Sequence, residues 1–305
     1  RAMNHMPGIS VRTKERVFAA ARELRYRPST FGRGLVKPGQ PTLGLIIDDL
    51  TNPYYPELAS AVIGQAARYR WNVVLAETVH IQDKHQLIID LSRQTDALLG
   101  YFSIDPEQLT DELAVTPFVQ LDTAPPAPTG SVALDFRAAM DDLVEHLVAR
   151  GIQHPALLDV TKPDATSARG QRFVDGMRRH GRHVAVTRIE ESSMDAGVKG
   201  GRAVLSACPE TDGIVAFNDV VACGVLKMLQ LDGIAVPDRI RVAGYDGLTL
   251  GTFVTPQLTT IEINMRAVAE TAVDLALGMY AGDLPMSGPE CHRTVTHRLV
   301  VREST

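Results

Sequence analysis

Short apolar runs rich in β-branched residues alternate with segments of helical periodicity along almost the whole chain, and this alternation leaves few folds open. Runs of the first kind occur at residues 43–47, 72–76, 97–102, 117–121, 156–160, 184–189, 213–217 and 240–245. Helical patterns at 83–93, 138–149, 172–180, 196–207 and 220–231 lie between them. A short continuous apolar run reads as a strand buried on both faces. Strands of that kind separated by helices build parallel sheets with helices on either side. The expected fold class is therefore α/β.

The alternation is itself repeated. Thr95-Asp-Ala-Leu-Leu-Gly-Tyr-Phe102 is similar to Thr211-Asp-Gly-Ile-Val-Ala-Phe-Asn218. Each is followed by an apolar run ending in aspartate, Phe118-Val-Gln-Leu-Asp122 and Val242-Ala-Gly-Tyr-Asp246. Two similar α/β lobes are expected, with a cleft between them, and such clefts are favoured places for small ligands.

The first strand predicts a site. Thr42-Leu-Gly-Leu-Ile-Ile47 runs into Asp48 and Asp49, and Thr51-Asn-Pro53 then starts a helix on which Leu58, Val62, Ala66 and Tyr69 recur at helical spacing. Ligands of open α/β sheets bind outside the carboxyl ends of strands. Asp48, Asp49, Asn52, Tyr54 and Tyr55 therefore stand where a small polar ligand would be met; the other reading is a plain strand–turn–helix with solvated acids.

Charge separates the front of the chain from the rest. Residues 1–37 carry nine Lys/Arg against Glu15 and Glu23, a net of +7, while the whole chain is at -5. A basic head on an acidic body suggests a polyanionic partner for the head; a merely solubilising terminus has the same composition. Ser10 can cap a helix whose apolar face is Val17, Ala20, Ala21 and Leu24. So short a helix cannot bury that stripe alone, and a missing N-terminal segment is expected. No run approaches the roughly 18 apolar residues of a membrane span. Three scattered cysteines, Cys208, Cys223 and Cys291, point to a reducing cytoplasm rather than a disulfide framework.

Arg1-Ala-Met-Asn4, Pro7-Gly-Ile-Ser10, Thr13-Lys-Glu-Arg-Val17, Arg27-Pro28 and Arg33-Gly-Leu35 resemble the second half of the DNA-binding head of LacI/GalR-type transcriptional regulators. The resemblance implies a domain at 1–40 made of a partial helix-turn-helix and a hinge helix, with Asn4, Arg27, Arg33 and Leu35 as DNA-binding residues. Leu35 falls at the position that wedges into the minor groove. Gly32 and Gly34 replace the helix-favouring residues usual around Arg33, so the hinge helix over 29–35 is expected to form only on DNA.

The body matches the same family. Gly213-Ile-Val-Ala-Phe-Asn-Asp219, Val236-Pro-Asp238, Val242-Ala-Gly-Tyr-Asp246, Thr255-Pro-Gln-Leu-Thr-Thr-Ile261 and Leu299-Val-Val-Arg302 resemble its effector-binding core, which is built like a periplasmic sugar-binding protein. This implies an effector-binding and dimerisation domain at 41–305, with an N-lobe at 41–134 and 265–289 and a C-lobe at 136–261 and 297–305. Crossings between lobes are expected near 134–136, 261–265 and 289–297. No leucine-heptad tetramerisation helix is expected after Arg302.

By this resemblance the effector residues are Asp48, Tyr54, Asp122, Arg169, Asn218 and Asp246. The set suits a sugar: carboxylates accept from hydroxyls, a guanidinium donates two hydrogen bonds, and an aromatic ring stacks. Read without the resemblance, Arg169 could be a surface ion-pair residue, Asn218 a helix N-cap and Asp246 a turn residue before Gly247. Arg172 replaces a glycine of the family pattern. Ser192 falls where several relatives carry an aromatic, which implies a roomier or more polar lid.

The resulting expectation is a ligand-responsive transcriptional regulator, a repressor that senses a small sugar-like metabolite. Its implied partners are operator DNA, the effector and a second copy of itself as a homodimer. It is expected in the cytoplasm, with no cofactor, metal or catalytic residue, because no G-x-S-x-G elbow, Walker loop or H-E-x-x-H is present. The alternative is a solute-binding protein of a transport system, which the basic head disfavours.

Overall fold

A computed structural model describes Arg16, Ala20 and residues 40–102, 116–123, 125, 127–161 and 165–305. Arg16 and Ala20 are helical. The expected DNA-binding residues Asn4, Arg27, Arg33 and Leu35, and the hinge with Gly32 and Gly34, lie outside the described residues.

The remainder divides into two compact units. The first runs to Thr51 and takes up Tyr55–Ala133 and Met265–Thr294; the second comprises Asn52–Tyr54, Leu134–Asn264 and Val295–Thr305.

In the first unit β1 (Thr42–Ile47) leads to α1 (Tyr54–Arg68), β2 (Asn72–Glu77), α2 (Lys84–Gln94), β3 (Ala97–Gly100) and β4 (Phe118–Leu121). Then come β5 (Gly130–Asp135), α7 (Met265–Ala281) and β11 (His292–Thr296). Its six-stranded sheet has the order β2-β1-β3-β4-β5-β11. The β1–β2, β1–β3, β3–β4 and β4–β5 pairs are all parallel. Six consecutive residues of β1 are buried, as a parallel strand covered on both faces requires. Ile46, Ile88, Leu91, Leu98 and Phe118 form one core cluster.

The second unit repeats the topology. It holds α3 (Arg137–Ala149), β6 (Pro155–Val160), α4 (Ala168–Arg179), β7 (Ala185–Ile189), α5 (Met194–Ala207), β8 (Gly213–Ala216) and α6 (Asp219–Leu231). It ends with β9 (Arg241–Asp246), β10 (Thr259–Glu262) and β12 (Arg298–Val300). The sheet order is β7-β6-β8-β9-β10-β12, parallel except for the antiparallel β10–β12 pair. Each sheet thus runs second, first, third, fourth, fifth and last strand, a doubly wound order in which the winding across the sheet reverses between the first and third strands.

Polar caps set the helix starts. Asp83 accepts from the Gln86 amide, Ser167 from Gly170, Ser193 from Ala196 and Asn218 from Val221. Such a cap contributes about 1 kcal/mol. Trp71 packs edge-on against Tyr280 with ring centroids 4.8 Å apart. Tyr69 departs from expectation: α1 ends at Arg68 and the tyrosine is 49% exposed. Arg70 follows with φ 60, so the chain has left the helical path. No helix among the described residues is long and apolar enough to cross a membrane.

Candidate functional site

In the second unit a small pocket opens at the reversal between β6 and β8. Its walls come from β6 (Leu157, Asp159), the start of α4 (Arg169, Gly170), the end of β8 (Ala216, Phe217) and β9 (Gly244, Tyr245).

Arg169 dominates it. The guanidinium carbon lies 3.7 Å from the Phe217 ring centroid and 4.3 Å from that of Tyr245. One terminal nitrogen is 3.9 Å from an Asp246 carboxylate oxygen. Arg169 is the second residue of α4, at the positive end of the helix, where a cation is disfavoured by roughly 0.3–1 kcal/mol. The two rings and Asp246 offset that cost. The planar fork is thus held by two aromatic faces at the end of the helix that does not favour its charge.

The residues before it fix its position. Asp159 at the end of β6 is 1% exposed, and its carboxylate accepts from the Ser167 amide and hydroxyl, each at 2.8 Å. The Ser167 oxygen then accepts from the Gly170 amide at 3.0 Å. Two strong acceptors on a buried carboxylate leave α4 little freedom at its first turn.

A second buried carboxylate fixes the far wall. Asp219, the first residue of α6, is fully buried and accepts from the Leu248 amide at 2.7 Å and from the Thr260 hydroxyl at 2.6 Å. Burial pushes its pKa up to about 7 despite these hydrogen bonds. The Thr260 hydroxyl also accepts from the Gly247 amide at 3.2 Å. Asp219 and Thr260 together pin both residues after Asp246, which is held at φ 114. Gly244 makes the approach possible, since a Cβ there would lie 2.2 Å from the Asp219 carboxylate.

The sequence-predicted residues fall into two groups. In the second unit Arg169 and Asp246 meet as a pair. Asn218 is 2% exposed and serves as the N-cap of α6 next to Phe217. In the first unit Asp48 follows β1 and Asp122 follows β4, the strands on either side of β3. Asp48 accepts from the Thr78 hydroxyl at 2.8 Å and faces Lys84 at 3.5 Å. Asp122 is exposed with φ 55. Tyr54 is buried, 7% exposed, at the first position of α1, whereas the less buried Tyr55 meets Tyr101 edge-on at 5.6 Å. Asp49 is occupied by a local turn with Thr51, whose hydrogen bonds lower its pKa. Arg172, which replaces a glycine, bonds Asp141 and the Arg137 carbonyl on α3. Ser192 is half-buried just before the α5 cap.

Phe217 and Tyr245 were not singled out as site residues by sequence reasoning, although each stands in one of the repeated motifs beside a polar residue that was. Their partner Arg169 lies in another element, so the contact has no signature along the chain. The signal was the repeated aromatic-then-polar pair, Phe217-Asn218 and Tyr245-Asp246.

With this geometry in view, likeness to other proteins adds a context. The periplasmic binding protein-like domain family matches residues 144–305. The ribose operon repressor of Halalkalibacterium halodurans is 30% identical over 318 residues, spanning all of this chain and 92% of that protein. The HTH-type transcriptional repressor CytR of Escherichia coli K12 is 27% identical over 315 residues, all of this chain and 91% of that protein. Among solved structures, a LacI family transcriptional regulator from Arthrobacter sp. FB24 in complex with lactose is 34% identical with a TM-score of 0.81, covering 87% of this chain and all of that one.

Proposed function

Because the chain belongs to the LacI family of transcriptional regulators, we propose that it represses transcription in response to a small sugar-like effector bound through Arg169 and Asp246. The observation that carries the reading is the Arg169 guanidinium lying against Phe217 and Tyr245, beside Asp246, at the carboxyl ends of β6, β8 and β9. A fork of donors, a carboxylate acceptor and two ring faces are the groups that bind vicinal hydroxyls and an apolar sugar face. Asn218 belongs to the same set, as does Tyr54 at the start of α1, and Asp48 and Asp122 are the candidates that the first unit supplies. The relatives support regulation over transport: two are repressors, one of them of a ribose operon, and the structural neighbour carries lactose. We read the chain accordingly as a cytoplasmic regulator rather than an enzyme.

Its DNA partner is a near-palindromic operator met by the basic head, with Asn4, Arg27, Arg33 and Leu35 as contacts, and the regulator acts as a homodimer. Exposed apolar side chains support self-association: Ile63 on α1, Val74 and Leu75 on the sheet-edge strand β2, and Phe253 at 81% exposure in the second unit. Light scattering at micromolar concentration tests the dimer. A stable monomer would count against the regulator reading. Fluorescence anisotropy with operator DNA tests the rest: affinity must change when the effector is added.

A further inference from the structure

His297 sits between β11 and β12, 7% exposed. Its backbone amide donates to the Asp135 carbonyl at 2.9 Å. Asp135 closes β5, and the chain enters the second unit at Leu134 and again at Val295. The bond therefore ties together two connecting segments just inside that unit. The ring faces the other way. Its Nδ1 is 2.9 Å from the Tyr245 hydroxyl, and the two rings meet edge-on with centroids 5.6 Å apart. Tyr245 is the ring on which Arg169 lies, and Phe136, next to Asp135, packs against it as well at 6.4 Å.

Histidine is a costly choice here. Among the described residues its Nε2 is buried with no hydrogen-bond partner. A leucine of similar volume would avoid that penalty, and a buried polar atom left unmade calls for an explanation. Burial is the main influence on the imidazole and opposes its charged form; of the two charged groups near it, the Asp135 carboxylate favours that form and Arg169 opposes it. The Asp135 carboxylate is already engaged by Arg137 at 2.7 and 2.8 Å. The ring consequently stays neutral, with a hydrogen bond to Tyr245 as its specific polar contact.

We propose that His297 is a positioning residue for the effector site: it fixes the Tyr245 ring against the Arg169 guanidinium and links that ring to the segments at Asp135 and Val295. The inference rests on the reading of Arg169 as an effector-binding residue. Nothing needs to be bound for the positioning to exist. A shift of Tyr245 on effector binding would reach the connecting segments through one hydrogen bond and one backbone amide.

The test is the Arg169 Nε–H resonance in the ligand-free full chain, assigned by its loss in Arg169→Lys. Two ring faces shift it upfield. His297→Leu removes the hydrogen bond at constant bulk and should move the resonance toward that of a free arginine. His297→Asn, whose amide can replace Nδ1, should restore it. Tyr245→Phe deletes one oxygen and carries the same comparison if the leucine variant does not fold. An unmoved resonance in His297→Leu and Tyr245→Phe, with only the melting temperature lowered, would make His297 structural and overturn the proposal. Calorimetric titration with lactose forms the second arm. A loss of tenfold or more in His297→Leu, recovered in His297→Asn, supports the role; unchanged affinity alongside a moved resonance overturns its link to binding. A wild-type chain that ignores lactose but shows the resonance pattern keeps the positioning role and removes lactose from the reading of the site.

Discussion

Asp122 and Asp246 close the fourth strand of their respective units, and both have positive φ, 55 and 114. Among the described residues the one other non-glycine with positive φ is Arg70. Aspartate tolerates this region better than most residues, yet φ 114 lies well outside the left-handed basin. Asp122 lies within that basin, so the strain sits at Asp246, and a backbone outlier of this kind motivates the ligand-facing reading proposed for it. Asp246→Gly should therefore be as stable as the wild type or more stable by up to about 1 kcal/mol in urea unfolding, while losing all sugar response. A loss above 2 kcal/mol would mean that the carboxylate holds the fold and not a ligand.

Arg169→Lys keeps the charge and removes the planar fork and its stacking on Phe217 and Tyr245. Sugar affinity should fall at least tenfold, roughly 1.4 kcal/mol or more. An equal affinity in the lysine variant would show that only charge is used.

Two buried groups give opposite pH dependences. His297 has its pKa lowered by burial from 6.5 to about 4. The unfolded chain takes up a proton in that window and the folded one does not, so stability is lost as pH falls from 6.5 to 4, by about 3 kcal/mol. Asp219 has its pKa raised by burial from 3.8 to about 7. Here the folded chain keeps a proton that the unfolded one releases, so stability is lost as pH rises from 3.8 to 7, on the order of 4 kcal/mol. The two oppose each other between pH 4 and 6.5, and His146, whose pKa burial also lowers, adds to the loss toward acid and sets the wild-type curve with them. Asp219→Asn should tilt it down toward acid, and His297→Leu should tilt it down toward neutral pH. Parallel curves for all three proteins in chemical denaturation would refute both assignments. Asp135, lowered to about 2 by its hydrogen bonds from Arg137, acts only below this window.

The buried parallel strands were legible because their apolar runs are continuous: 43–47, 72–76, 156–160 and 213–217 each fall on an observed strand to within one or two residues. Strand β5, Gly-Ser-Val-Ala-Leu-Asp, opens with two small residues and carried no such signal. Helix α7 was missed although its buried residues, Val268, Ala269, Ala272, Val273, Leu275, Ala276 and Met279, recur on one face; Ala267, Leu277 and Gly278 dilute the polar face that Arg266, Glu270 and Asp274 mark. Starts of helices were read late, as at α4, where 172–180 was expected and Ala168–Arg179 is found; the cap Ser167 draws its strength from Asp159, eight residues away. The site was half legible. Arg169, Asn218 and Asp246 were named through the family resemblance of the stretches that hold them, since by type alone each had a structural reading as well. Asp159, Asp219 and His297 did not stand out, because what they do depends on partners in other elements.

The most direct test of the account is a thermal-shift series with sugars, lactose and ribose first, on the wild type, Arg169→Ala and Asp246→Gly. A sugar present at about 100 times its Kd should stabilise the wild type by about 2.7 kcal/mol. Both variants should melt near the wild-type temperature without ligand and show no shift with it. A sugar-induced shift that survives in either variant would contradict the assignment of the effector site to Arg169 and Asp246.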